Sequence, residues 1–492
     1  MGEVAARGAA WLIGLTVVSK VVALVGQVIL ARLLTDDEFG LYALALTIPT
    51  VTGIIAQPGI KQVLVQRQRR ADLWENPGFW MSATAGMAGA ALTAVAAPLS
   101  AWLYGGGMMM VKVVLVIAAT IFVSALATVP EARMQMGLRF KAAAILNWAT
   151  VTGAMALSAA MAWGGWGALS FAVPNLAAAI VRCGAMWWMT RPEIGMTLQV
   201  RRWWYMLEDT LFLVGTQSML AVSQRADVVV LGLMHPMSVV GQYSFAYNLS
   251  LQTVQLLTVN LSGVLFAALN KLRDEPERQA AAFLRASRML ALVGIPACVA
   301  QAAIAEPVTR LLFGTKWDDA IAALTILSVG AGLGLVNAPA VSLLQAQGRF
   351  KTVMLMSGCC AILFAALVWA ASSVGESAAV GVGVTIYWGL TGVVWIRLGL
   401  GQRAAWSQIA LIFLLPLSLS LVAGAAGWGM TQLFDETKAG LIGACMSGAL
   451  TTFLVYTFAI RLVSHKSYVE IVALVERFVP VRFKRGTGVS GV

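Results

Sequence analysis

The chain has 492 residues, 59% hydrophobic and 11% charged, with a formal net charge of +12 and a mean hydropathy of +0.81. Soluble domains carry about a quarter charged residues, so this composition excludes a water-soluble globular protein. Its basic residues are spread over short connections rather than gathered in one patch, which speaks against a nucleic-acid surface. Apolar runs long enough to cross a bilayer recur throughout. Fourteen spans are predicted, at roughly 9–34, 39–64, 77–103, 108–132, 141–163, 166–190, 208–234, 239–268, 283–312, 319–346, 350–373, 376–398, 405–432 and 438–462. The first is too long for a signal-peptide core and reads as a membrane helix. The expected fold is an all-α polytopic membrane protein.

The chain repeats itself. FGLYALA (Phe39 to Ala45) returns as VGQYSFA (Val240 to Ala246), with Gly241 under Gly40 and Tyr243 under Tyr42. APLSAWLYG (Ala97 to Gly105) returns as EPVTRLLFG (Glu306 to Gly314), and GLRFK (Gly137 to Lys141) as QGRFK (Gln347 to Lys351). In so apolar a chain, a ~200-residue repeat points to a transporter of two homologous bundles. The expected organisation is a six-helix lobe over 1–190, a cytoplasmic linker over 191–207, and a second six-helix lobe over 208–400. Two added spans over 401–463 and a basic tail over 464–492 complete it, with the lobes around a central cavity. Of the 34 Lys and Arg, 27 fall on the connections and span ends of one side, five on those of the other, and two, Lys20 and Arg225, deep within spans. That asymmetry predicts both termini in the cytoplasm. Tyr468 to Arg485 has the pattern of an interfacial helix.

Covalent chemistry has little support. The five cysteines lie within spans without metal-ligand spacing, His235 and His465 lie at span edges, and no phosphate-binding loop motif occurs. No metal, cofactor or enzymatic activity is expected. The polar residues inside the spans carry the functional signal. A charge at the bilayer centre costs about 2.5–3.5 kcal/mol on insertion scales, so it needs a wet or paired setting. Thr16, Lys20 and Gln27 form a stripe on the first span. Thr50, Gln57 and Lys61 form one on the second, where Pro49 and Pro58 predict kinks. On the seventh span, Asp227 shares a face with Thr216, Ser223 and Gln224 and is expected to point inward. Arg225, two residues away, is expected to reach the outer interface. The eighth span carries Asn248, Gln252, Gln255 and Ser262. These four spans are expected to surround one hydrated cavity; the competing reading makes each polar residue a structural bond between helices. Asp227 reads either as an ion-coupling carboxylate or as a charge partner of Lys20 or Arg225.

ILARLLTDDEFGLYALA (Ile29 to Ala45), LVQRQRRAD (Leu64 to Asp72), GLRFKAA, RADVVVLGLMHPMSVVGQYSFA and LLFGTKWDDAIAALTIL occur in this order. Together they resemble the polysaccharide transport family, with its Wzx-type flippases, of the multidrug/oligosaccharidyl-lipid/polysaccharide (MOP) exporter superfamily. The resemblance covers about residues 8–400. It implies a V-shaped pair of six-helix lobes working by alternating access in the bacterial inner membrane. The implied cargo is an undecaprenyl-pyrophosphate-linked oligosaccharide for exopolysaccharide or O-antigen synthesis. Membrane lipids, a polysaccharide polymerase and a chain-length regulator are the implied partners. Basic residues of the first helices meet the pyrophosphate in related flippases, and Lys20 and Lys61 fit that description. Gly232-Leu233 stands where the family usually has a basic residue. The competing functions are a cation-coupled multidrug antiporter of the same superfamily, leaning on Asp227, and a membrane glycosyltransferase or polymerase, which the short external connections disfavour.

Overall fold

A computed structural model describes residues 2–56, 59–66, 71–137, 139–206, 225–258, 265, 268–465, 468 and 469. Among the described residues the regular structure is helical, without a strand. The first half of the chain forms α1 (Gly2–Leu33), α2 (Asp36–Ala45), α3 (Thr47–Ala56), α4 (Ile60–Gln66), α5 (Ala71–Tyr104), α6 (Gly107–Leu126), α7 (Thr128–Met136), α8 (Phe140–Trp163) and α9 (Leu169–Thr190). The second half forms α10 (Ala226–Met234), α11 (Met237–Thr258), α12 (Pro276–Ala303), α13 (Ala305–Phe313), α14 (Asp318–Gly334), α15 (Asn337–Ala346), α16 (Phe350–Val374), α17 (Ser377–Leu400), α18 (Trp406–Thr431) and α19 (Lys438–Val463).

Ten of these stretches are long and apolar enough to cross a membrane. They correspond in order to the third to sixth and ninth to fourteenth predicted spans. The seventh and eighth predicted spans fall partly on residues outside the described set, as do Gln57, Gln224, Thr216, Ser223, Ser262 and most of the predicted interfacial tail. The second span is divided into α2, α3 and α4.

Proline placement explains the divisions. Proline lacks the N–H that would bond the carbonyl four residues earlier, and its ring clashes there. Pro49 stands four residues after Ala45, the end of α2; Pro130 four after Leu126, the end of α6; Pro307 four after Ala303, the end of α12. Proline alone does not suffice, since Pro98, Pro174, Pro296 and Pro416 lie inside α5, α9, α12 and α18.

The internal repeat is realised as matched local devices. After α5, Gly105 takes φ +70°; after α13, its counterpart Gly314 takes φ +81°. Both positions follow a helix at a positive φ that glycine tolerates. In the turn before α8 the Arg139 N–H donates to Met134 O at 3.0 Å, and before α16 the Arg349 N–H donates to Leu344 O at 3.0 Å. The two guanidinium groups also match: Arg139 Nη1 donates to Met189 O at 2.9 Å and Arg349 Nη1 to Leu398 O at 2.7 Å. The third pair meets face to face. A Cβ on Gly40 would overlap the Met237 carbonyl oxygen, and one on Gly241 would overlap that of Asp36. Each glycine thus faces the residue four before the other, so α2 and α11 cross about a local two-fold with backbones in contact.

The chain divides into two compact units: 1–248 with 312–323 and 350–387, and 249–311 with 324–349 and 388–492. In the first, α1 packs on α8, α5 on α6 and α3, and α9 on α6 and α8. The α2–α11 crossing is capped by Trp317, fully buried, whose ring lies 4.2 Å from Phe245 and 5.0 Å from Phe39, with Nε1 donating to Ala31 O at 2.9 Å. A buried clamp joins α5, α7 and the end of α9. Arg133 Nε and Nη2 grip both oxygens of Glu75 at 2.7 and 2.5 Å, and Nη1 donates to the Thr190 and Arg191 carbonyls at 3.1 Å. In the second unit α18 and α19 pack on each other and on α12. Gly427 faces Gly448 and Thr452, the small-residue contact that lets membrane helices approach closely.

Two outcomes follow. Gly40→Ala and Gly241→Ala should each destabilise the protein by roughly 1–3 kcal/mol, the range for overpacking a tight contact, and to similar extents, measured as thermal unfolding in detergent. Glu75→Ala strands the Arg133 guanidinium and should cost about 3–5 kcal/mol in the same measurement, more than either glycine change.

Candidate functional site

Inside the first unit lies a cavity of about 1040 Å3, lined by residues of α2 to α9 and by Arg225. The helix breaks build its charged end. Lys61 is the second residue of α4, just after Gly59 with φ +74°. Glu131 follows the Pro130 break in the first turn of α7, where the helix dipole favours a carboxylate. Arg182 projects from α9. Lys61 Nζ and Arg182 Nη2 each lie 3.2 Å from the same Glu131 oxygen, Oε1, and all three side chains are between a third and two-fifths exposed. At the other end, Asn175 Nδ2 donates to the Tyr42 hydroxyl at 3.2 Å, and the Tyr42 ring stacks on Phe171 at 4.7 Å. Arg225 also lines the cavity. The walls between carry Thr50, Thr120, Ser124, Thr128, Asn147 and Thr150. The described lining residues include three cations and one carboxylate, which pairs with two of them, in a setting otherwise made of neutral hydrogen-bonding groups and apolar side chains. Such a surface suits a polar anion.

The structure brings together only some of the residues expected from the sequence. Lys61 and Arg225 line this cavity. Lys20 and Gln27 sit half-buried on α1 and are not among its lining residues. Asn248 is exposed on α11, its amide donating to Ser244 O at 2.8 Å, and Gln252 is half-buried one turn further on; neither lines the cavity. The expected orientations of Arg225 and Asp227 are reversed. Arg225 faces the cavity, whereas Asp227 is 1% exposed and packed away from it, accepting from the Tyr243 hydroxyl at 2.7 Å and the Val228 N–H at 2.8 Å. The reason is local: α10 begins at Ala226, and Arg225 is its N-cap with φ −135°. A uniform 100° step therefore does not connect the two residues. The ion pair considered between Asp227 and Arg225 is not formed either; the direct side-chain partner of Asp227 is neutral.

Glu131 and Arg182 were missed because both lie at the ends of predicted spans, where charge reads as a membrane edge. A signal was present. Thr120, Ser124, Thr128 and Glu131 recur at i, i+4, i+8 and i+11, and Asn175, Ala178, Ala179 and Arg182 at i, i+3, i+4 and i+7. Each is one polar or small stripe on an apolar helix.

Comparison with known proteins places this geometry in a family. A family model described as polysaccharide biosynthesis protein matches residues 29–322, more than half of the chain. The match starts at Ile29, where the motif Ile29 to Ala45 begins. The succinoglycan biosynthesis transport protein ExoT of Rhizobium meliloti (strain 1021) is 23% identical over 306 residues, which are 62% of this chain and 62% of that protein's length. Among solved structures, one described as lipid II flippase MurJ in an inward closed conformation superposes with a TM-score of 0.73 at 13% identity, covering 92% of this chain and 99% of that one. An inward-facing multidrug resistance MATE family transporter of the MOP superfamily gives 0.64 at 13% identity, covering 79% and 96%. The fold is thus shared with these two solved transporters, as the sequence motifs implied. With residues 29–322 matched, the chain belongs to the polysaccharide biosynthesis protein family.

Proposed function

We propose that this chain is a flippase that carries an undecaprenyl-pyrophosphate-linked oligosaccharide from the cytoplasmic to the periplasmic leaflet of the bacterial inner membrane by alternating access. The cationic, hydroxyl- and amide-lined cavity inside an apolar helical bundle is the observation that carries this reading. A diphosphate sugar cannot cross about 30 Å of hydrocarbon unaided. It needs hydrogen-bonding groups and positive charge along its route, while its polyprenyl tail can remain in lipid. Lys61 and Arg182 are assigned to the diphosphate, and Arg225 to the cavity's positive field. Asn147, Thr150, Thr120 and Asn175 are assigned to sugar hydroxyls. Lys20 is retained as a further cation on the route, outside this cavity. ExoT, named as a transport protein in succinoglycan biosynthesis, and the MurJ-like fold support the same class of cargo, and a transporter rather than an enzyme.

The two six-helix lobes over 1–190 and 208–400, the two added spans, and cytoplasmic termini belong to this proposal. The topology rests on the distribution of Lys and Arg, which puts the Lys61 end of the cavity on the cytoplasmic side and the α2–α11 crossing on the periplasmic side. A polymerase and a chain-length regulator would take up the delivered unit. Asp227, buried against Tyr243, is assigned to ion coupling. A cation-coupled drug antiporter is the competing function, since the MATE fold is shared. Three cations around the cavity argue against it, because they repel a cationic drug.

In proteoliposomes with lipid-linked oligosaccharide, Lys61→Ala and Arg182→Ala should each lower flipping about tenfold or more, the scale of a lost hydrogen bond to a charged group. Lys20→Ala should lower it less. Flipping by Lys61→Ala at the wild-type rate would remove the cavity from the cargo's path. Asp227→Asn should abolish the dependence of flipping on an imposed proton or sodium gradient while leaving gradient-free flipping in place; dependence that persists would exclude Asp227 from coupling.

A further inference from the structure

The same end of the α4–α7–α9 bundle holds two arrangements of opposite charges, built differently. The Arg133–Glu75 pair is bidentate, and its carboxylate is 5% exposed. That is how a structural clamp is made. The other arrangement is the Lys61–Glu131–Arg182 cluster, where the carboxylate is 33% exposed and a single oxygen takes both cations at 3.2 Å. Partly exposed ion pairs stabilise little, so this cluster is poorly suited to holding helices together. It lies on the wall of the cavity, with its polar atoms reachable from inside.

Glu131 also stands where an acid is unexpected in an anion site. The lining offers three cations, and the one described carboxylate among them occupies two of the three. Two uncompensated cations would hold a diphosphate tightly. A transporter must bind its cargo well enough to load it and weakly enough to release it. An internal carboxylate that already occupies the cations lowers the net affinity, and it re-forms its pairs as the cargo leaves.

We propose that Glu131 is an internal competitor for the cargo's diphosphate. Its Oε1 holds Lys61 and Arg182 when the cavity is empty, yields them to phosphate oxygens on loading, and reclaims them to assist release. This rests on the reading of the cargo as a lipid-linked diphosphate. Glu131 is thus a positioning residue for the two cations, with no phosphate contact of its own.

The test uses the full chain in detergent, with inorganic pyrophosphate as the probe and calorimetry as the readout. Glu131→Gln should bind pyrophosphate about fivefold or more tightly than the wild type, the ratio equivalent to about 1 kcal/mol. Adding Lys61→Ala to Glu131→Gln should remove that gain. In proteoliposomes at saturating lipid-linked oligosaccharide, Glu131→Gln should turn over more slowly than the wild type, because release is impaired. A purely structural Glu131 would lower thermal stability without tightening binding. Unchanged or weaker affinity in Glu131→Gln, with wild-type binding still dependent on Lys61, overturns the competitor role and leaves the proposed function standing. Pyrophosphate binding that is absent or indifferent to Lys61→Ala in both the wild type and Glu131→Gln overturns the anion site itself, and the inference with it. Should Glu131→Gln fail to fold, Glu131→Asp keeps the charge but withdraws it by one methylene; it should tighten binding by a smaller factor, and unchanged or weaker affinity there overturns the inference.

Discussion

Charge inside an apolar bundle must be paired or wetted, and this constraint organises the first unit. An unpaired charge in hydrocarbon is expensive enough to be rare, and three arrangements here meet that cost in different ways. Arg133 and Glu75 satisfy each other with little exposure. Asp227 is held by a tyrosine hydroxyl and a backbone amide. Lys61, Arg182 and Glu131 share one wet cluster on a cavity wall. The first two arrangements are closed. The third is open to the cavity, which is why function is assigned to it.

The helix breaks make that opening possible. Continuous helices would give the cavity uniform apolar walls. Pro49 and Pro130 end α2 and α6 four residues upstream, and the chain restarts as α3 and α7. Lys61 and Glu131 then occupy the first turns of short helices, where their side chains meet. The repeat adds a second layer of economy. Gly40 and Gly241 use one device twice to bring two backbones together, yet the tyrosines two residues on have diverged. Tyr42 takes an amide from Asn175 at the cavity, while Tyr243 serves the buried Asp227. The backbone crossing is symmetric and the chemistry beside it is not.

Much of the fold was legible in the sequence because hydropathy and repetition act over many residues. Ten predicted spans recur as long apolar helices, and all three repeat anchors return as matched turns or contacts. The site was less legible. Lys61 was found because it extends a polar stripe. Arg182 and Glu131 stand at the ends of predicted spans, where charge reads as a membrane edge, and the sequence does not reveal that broken helices leave room at that depth. Arg225 and Asp227 were exchanged because a helical wheel assumes a regular helix, and the helix starts between them. Lys20, the most conspicuous charge in the sequence, sits on a helix that packs on α8, and it is not among the described residues of the cavity wall. A stripe of polar residues identifies a face, but the face's neighbour depends on packing.

The central claim is that the diphosphate of a lipid-linked oligosaccharide is held in this cavity by Lys61 and Arg182. The most direct measurement is a cryo-electron-microscopy structure of the full chain loaded with polyprenyl-diphosphate-linked oligosaccharide. The account predicts phosphate density within hydrogen-bonding distance of Lys61 Nζ and Arg182, with the Glu131 carboxylate displaced from both. Phosphates lodged elsewhere, with the Lys61–Glu131–Arg182 contacts intact in the loaded protein, would contradict it.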